Sequence, residues 1–292
     1  MYEPYEQVRR GRGTGGADVK KRRFGGNFLT ALTFLFLYAP ILVLVVFSFN
    51  STKSRSVWSG FTLDWYAELF ADKEIMSSIQ VTLLISIAAA VIATIVGTFA
   101  AIGFFNMRRK WRNPLLTINN IPVVNADIIT GVSLSLLFVS AGALLGFELG
   151  FGTLLIAHVS FNIPYVILSV MPKLYQLDRN LFEAAQDLGC TWLQTIYKVI
   201  IPEILPGIIN GLIISFTMSV DDFVISYFTA GKVKTLSMMI YSMTRRRISP
   251  KINAISTLLF ALVLILLIIV NVREARQNKL REKQENSLKG AI

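Results

Sequence analysis

The sequence is short of the residues on which most protein chemistry depends. Among 292 residues there is one cysteine, Cys190, and one histidine, His158. A lone cysteine excludes an internal disulfide. No His, Cys and acidic residues fall at metal-ligand spacing, no Ser–His–acid set is in reach, and no Gly-rich loop ends in Lys-Ser/Thr to cradle a phosphate. Neither catalysis by this chain alone nor a resident metal or cofactor is therefore expected. Charge is scarce as well, at 16% of residues, where soluble domains carry about 25%. Acidic residues are the scarcer sign, 18 against 29 Lys and Arg.

Hydrocarbon takes the place of charge. Hydrophobic residues make up 53% of the chain, and six segments reach the roughly 20 apolar residues that a membrane-spanning helix needs. They are Phe28–Phe49, Met76–Phe104, Leu115–Ser140, Phe151–Met171, Ile204–Phe228 and Ile252–Val272. The class is an all-α transmembrane protein held by helix packing. The first span is too long for a cleaved leader and reads as a retained signal anchor.

A net charge of +11 is compatible with nucleic acid, but its distribution points to a membrane. Twenty of the 29 basic residues fall in the two tails and in the second and fourth connections, all on one side of a six-span thread. Basic loops remain cytoplasmic, so both termini are expected there, with the basic residues near anionic lipid headgroups. Lys232, Lys234, Arg245, Arg246, Arg247 and Lys251 break the rule, lying in the fifth, outer connection.

Residues 1–26, Gly- and Arg-rich with few apolar side chains, cannot bury a core and read as a disordered cytoplasmic tail. Residues 27–272 form the membrane domain, and 273–292 a charged cytoplasmic tail. In the first outer connection Trp58, Trp65 and Tyr66 suit the interface, and Asp64–Phe70 is expected as a short helix. Ala93, Gly97 and Ala101 recur every four residues, a stripe that lets helices approach closely, either within one subunit or at a dimer face. Pro40, Pro122 and Pro164 punctuate the spans, and Pro122 with Asn125 and Asp127 indicates a broken third span with a polar lining.

Ionisable groups inside spans are costly and mark function. Asp221 and Asp222 close the apolar run of the fifth span near its outer end, and Asp127 lies nearer the midplane. With the rings of Tyr227 and Phe228, these carboxylates can form a negative, aromatic lining that attracts a cation. Adjacent positions on a helix point about 100° apart, so one of Asp221 and Asp222 faces the pathway. The other reading is that they cap a helix end, pair with Arg245–Arg247 or contact a partner subunit. His158, beside Asn162 and Pro164, is either a hydrogen-bonded packing residue or a proton-sensing one.

The fourth connection, about residues 175–203, has a different texture. Leu181, Ala185, Leu188, Trp192 and Ile196 mark an apolar helical face, and Gly189 permits a sharp turn between two short helices. Glu183, Gln186, Asp187 and Gln194 dominate the polar side, where a lipid-surface helix would carry Lys and Arg. A protein partner fits better.

Glu183-Ala184-Ala185, Gly189 and the ending Val199, Ile201, Pro202 resemble a motif of the membrane subunits of bacterial ABC importers, with aliphatic Val199 and Ile201 standing for Ile and Leu. The resemblance extends over roughly residues 28–272. Phe61–Tyr66, Ile121–Ile128 and Ser219–Phe223 are similar to spermidine/putrescine permeases of the PotC type. It implies the six-span type I importer fold in a bacterial inner membrane, with a cytoplasmic coupling helix that carries Glu183, Ala184, Ala185, Asp187, Gly189 and Pro202. The implied partners are an ATPase dimer, a second homologous permease and an extracytoplasmic polyamine-binding protein, with a polyamine as cargo and no nucleic acid. The same machine could instead carry iron, thiamine or an organic anion. A proton-driven carrier using His158 and the aspartates would need no ATPase. A purely structural scaffold leaves the coupling-loop spacing unexplained.

Overall fold

The computed structural model describes residues 15–52, 57–178, 180–246 and 250–289. Six helices in it are long and apolar enough to cross a membrane. The first is the apolar part, Leu29–Phe47, of α1 (Gly15–Phe47). The helix thus begins at Gly15, within the segment read from composition as a tail, while residues 1–14 lie outside the described part. The first connection then folds round Asn50. Its amide donates to Val57 O at 2.8 Å and accepts from Ser59 N, and its own carbonyl accepts from Trp65 Nε1 at 2.7 Å. The short helix α2 (Asp64–Ala71) follows as expected. Trp65 is buried in it, so it is a core anchor and not an interfacial ring.

The centre of the bundle is the triangle of α3 (Lys73–Asn106), α6 (Phe151–Gln176) and α9 (Ile201–Asp221). Helices in lipid gain no hydrophobic drive from touching one another, so close backbone approach must supply the packing. The Ala93–Gly97–Ala101 stripe of α3 provides it within the subunit, because all three residues are buried. Its counterpart on α9 is Gly207, Gly211, Ser215 and Ser219, again every fourth residue and again buried. Both stripes close on Val166 of α6. A methyl added at Gly97 would lie 2.8 Å from the Val166 side chain, and one at Gly211 would lie 3.2 Å from it.

The third and fifth spans differ from their sequence boundaries. The segment expected as Leu115–Ser140 is two helices, α4 (Arg109–Val124) and α5 (Asp127–Leu145), parted by the extended residues Asn125 and Ala126. Pro122 lies inside the last turn of α4, where its missing N–H and its ring weaken the preceding turn, and the chain leaves the helix three residues later. The fifth span does not run to Phe228. It ends at Asp221, and the chain turns at the extended Asp222 into the short helix α10 (Val224–Thr229). Ile225 of α10 packs with Phe138 of α5 and with Ala157 and Phe161 of α6. Beyond it lie α11 (Leu236–Arg246) and α12 (Pro250–Lys289), a continuous helix that includes most of the expected charged tail. An even number of spans returns the chain to the side from which it started.

A valine at Gly97 should lower the unfolding midpoint of the detergent-purified chain, at an overpacking cost of about 1–3 kcal/mol. Adding Val166→Ala should recover part of that loss. Gly103→Ala, where a methyl meets nothing within 4 Å, should be neutral or slightly stabilising in the same thermal measurement.

Candidate functional site

Two places in this fold hold residues with functional chemistry. The first is the link between α6 and α9. Asp178 caps the start of α7 (Asn180–Asp187), its Oδ1 accepting from Asn180 N at 3.0 Å. The helix stops in a Schellman arrangement: Gly189 N donates to Gln186 O at 2.8 Å and Cys190 N to Ala185 O at 3.0 Å. Gly189 has φ +84°, a conformation that side chains other than glycine's resist. Thr191 then opens α8 (Trp192–Thr195) through a reciprocal pair of hydrogen bonds with Gln194.

Between α8 and α9 the residues Ile196–Ile200 form one π-helical turn, with Ile201 N reaching back to Ile196 O. Pro202 supplies a reason, because it has no N–H for the carbonyl four residues earlier. The apolar face read across this link is split by the Gly189 turn. Ala185 and Ile196 are buried, whereas Leu188 is 86% exposed and Trp192 and Leu193 project beside it. Glu183, Ala184, Gln186 and Asp187 are exposed too. The link thus presents a knob of apolar side chains edged with acids.

The second place is where the broken third and fifth spans meet α6. His158 lies seven residues from the start of α6, about 10 Å along it, and Tyr165 about 21 Å along. At this depth a cavity of about 120 Å³ is lined by Asp127, Asp221 and Asp222 together with Phe161, Tyr165 and Phe223. Helix ends supply all three carboxylates. Asp127 opens α5, where the helix dipole favours a negative charge, and Asp221 closes α9.

The two neighbouring aspartates do different work. Asp222 is committed to α10: its Oδ2 accepts from Ser226 N at 2.7 Å and from the Ser226 hydroxyl at 2.8 Å, and its Oδ1 from Ile225 N at 3.2 Å. His158, almost wholly buried, lies behind it with Nε2 at 3.0 Å from Ser226 Oγ and Nδ1 at 2.6 Å from Ser219 Oγ. Because the Ser226 hydroxyl proton points to Asp222, that oxygen accepts from His158 Nε2–H. His158 is thus a hydrogen-bonded brace joining α6, α9 and α10. Asp221, by contrast, is exposed and forms no ion pair with the described residues, so its charge faces the cavity.

Tyr227 and Phe228 line a larger adjoining vestibule of about 800 Å³. Tyr227 is largely exposed, while Phe228 packs into the notch that Gly131 leaves on α5. Arg245 does not pair with Asp221 or Asp222, and Arg247 lies outside the described residues.

Comparison with known proteins agrees with this architecture. Residues 93–276 match the family described as binding-protein-dependent transport system inner membrane component. The putrescine transport system permease protein PotI of Escherichia coli (strain K12) is 41% identical over 254 residues, covering 86% of this chain and 90% of that protein. This chain belongs to that family. It is the permease subunit of a binding-protein-dependent ABC importer and a multi-pass inner membrane protein, working with an ATPase and a binding protein. The spermidine/putrescine transport system permease protein PotC of the same organism is 35% identical, covering 85% of the permease and 92% of PotC. Among solved structures, a bacterial alginate ABC transporter in complex with an alginate pentasaccharide-bound periplasmic protein superposes with a TM-score of 0.69 at 17% identity, covering 90% and 98%. The inward-facing MetNI methionine ABC transporter gives a TM-score of 0.60 at 19% identity, covering 74% and 99%. At such identities these two structures speak for the fold of the permease alone.

The Ser219 and Ser226 partners of His158 escaped the sequence reading. They are 61 and 68 residues from it, and only the packing of α6 against α9 and α10 brings them together. Asp222→Ala should lower the thermal stability of the purified permease by about 1–2 kcal/mol, the worth of a lost helix cap, whereas Asp221→Asn should leave it unchanged. Equal losses in the two variants would contradict this division of labour.

Proposed function

We propose that this permease is one half of the pathway of an ATP-driven polyamine importer, beside a second, homologous permease. The observation that carries the reading is the convergence of Asp127 and Asp221, with Asp222 behind them, on one cavity next to Phe223 and Tyr227. A polyamine is a flexible polycation. Carboxylates at helix ends attract its ammonium groups, and aromatic faces hold them with little desolvation cost. The names of the two relatives, one a putrescine and one a spermidine/putrescine permease, support the same class of cargo.

Within this reading Asp221 and Asp127 meet the cargo. Tyr227 offers a ring, and Phe228 and Asp222 hold α10 in place beneath it. The side of the bundle that carries α7 faces the cytoplasm, as do both termini, because the basic tails and connections collect there. There α7 inserts into a cleft of an ATPase dimer, Leu188 and Trp192 entering the apolar part and Glu183 and Asp187 the polar rim. Ala184 keeps the contact close, Ala185 seats the helix on the bundle, and Gly189 and Pro202 set its angle to α9. Closure of the ATPase dimer then moves α9 as a rigid body and changes the access of the central cavity. ATP hydrolysis belongs to the ATPase, and an extracytoplasmic polyamine-binding protein delivers cargo to the opposite side.

Cells lacking their own polyamine importers, supplied with this chain and its neighbouring transport genes, should take up labelled putrescine or spermidine, and omission of this chain should abolish uptake. An ATPase that co-purifies without any polyamine uptake would discard the cargo and keep the machine. In the same cells Asp221→Asn should reduce uptake by roughly tenfold, equivalent to about 1.4 kcal/mol. Glu183→Lys should uncouple ATP hydrolysis from transport; a proton-driven carrier would be indifferent to it.

A further inference from the structure

Arg245 places a cation in a connection where a polycation must enter. It stands on the wall of the vestibule. Its guanidinium carbon lies over the Tyr241 ring, 5.0 Å from the centroid. Tyr241 in turn stacks on Phe223, with centroids 4.4 Å apart and planes at 36°, and Phe223 meets Tyr227 at 5.6 Å. Tyr241 and Arg245 are four residues apart on α11, so the helix itself sets the pair.

Among the described residues, what holds Arg245 there is the ring of Tyr241. No carboxylate among the described residues lies within ion-pair distance of it. Of the two acids on the same wall, Glu74 pairs with Lys234 at 3.8 Å. Asp72 caps α3, accepting from Glu74 N and Ile75 N. A guanidinium on an exposed aromatic face, without a counter-ion, is weakly held. Phe223 also lines the smaller cavity with Asp127 and Asp221, so a cation leaving the Tyr241 face has a short route to those carboxylates.

We propose that Tyr241, backed by Phe223, is the first cation-recognition face of the pathway, and that Arg245 occupies it until an ammonium group of the cargo takes its place. This inference rests on the polyamine reading above. The displaced Arg245 keeps its charge and stays tethered to α11 beside the ring. Arg245 then works as a tethered competitor: a monovalent cation faces an occupied ring, while a polyamine, with further ammonium groups for Asp221 and Asp127, displaces it.

The test uses the assembled transporter carrying Ser242→Cys, at a position that lines the same vestibule, and Cys190→Ser, which removes the native thiol of this chain. The rate of modification by a neutral methanethiosulfonate reports access to the wall. Spermidine should slow modification, and the concentration required should fall by roughly two- to fivefold in Arg245→Gln and rise by a similar factor in Tyr241→Leu. Tyr241→Phe, which keeps the ring, should behave as the parent and controls for folding. No change in Tyr241→Leu, or a rise in Arg245→Gln, overturns the proposal. Protection by tetramethylammonium but not by spermidine would keep the cation face and remove the polyamine as its ligand. Uptake of polyamine without protection would remove the face and leave the cargo assignment standing.

Discussion

A helix interrupted inside a bilayer leaves backbone N–H groups that hydrocarbon cannot satisfy, and each costs several kcal/mol unless the protein supplies a partner. In this permease α9 ends at Asp221 and the chain turns at the extended Asp222 into α10, and Asp222 supplies the partner by accepting the first N–H groups of α10. Much of the site depends on that one carboxylate. It fixes the direction of α10, which places Tyr227 in the vestibule and Phe228 against α5. It also requires something polar behind it, and His158 with Ser219 and Ser226 meets that need. With Asp222 so committed, Asp221 is free to present its charge.

The two ends of the molecule are connected by the rigidity of its centre. Val166 sits between the notches of Gly97 and Gly211, so α3, α6 and α9 touch almost backbone to backbone. Interdigitated packing of this kind moves as a unit and does not deform by degrees. At one end of α9 is the link with Gly189 and its π-turn; at the other are Asp221 and Asp222. A single helix, α9, thus joins the α7–α8 link to the carboxylates of the cavity. The exposed Leu188 and Trp192 lie toward one end of α9 and the exposed Tyr227 toward the other.

Breaks between helices give this bundle its acidic cavity. The chain leaves regular helix between α4 and α5 and again between α9 and α10, and residues at both places line the same cavity. The helix ends there bring their dipoles and their terminal carboxylates to the depth of Tyr165. A soluble fold would use water to tolerate such ends. Here the cavity itself is polar, lined by Asp127, Asp221 and Asp222.

From the sequence alone came the number of spans, the short helix at Asp64, the stripe through Gly97, the break after Pro122 and the turn at Gly189. Each depends on local properties: the length of an apolar run, the four-residue repeat, the missing N–H of proline, the open φ of glycine. The family resemblance came from the Glu183–Pro202 spacing for the same reason. Only the tertiary structure decided which aspartate faces the cavity, because Asp221 and Asp222 are chemically alike and differ in what the chain brings to them. It also assigned His158 to a brace, Trp65 to the core and Arg245 to the ring of Tyr241, and showed that the α9 stripe of Gly207, Gly211, Ser215 and Ser219 faces α6. These depend on register between helices distant in sequence, and register is set by packing, which no local pattern encodes.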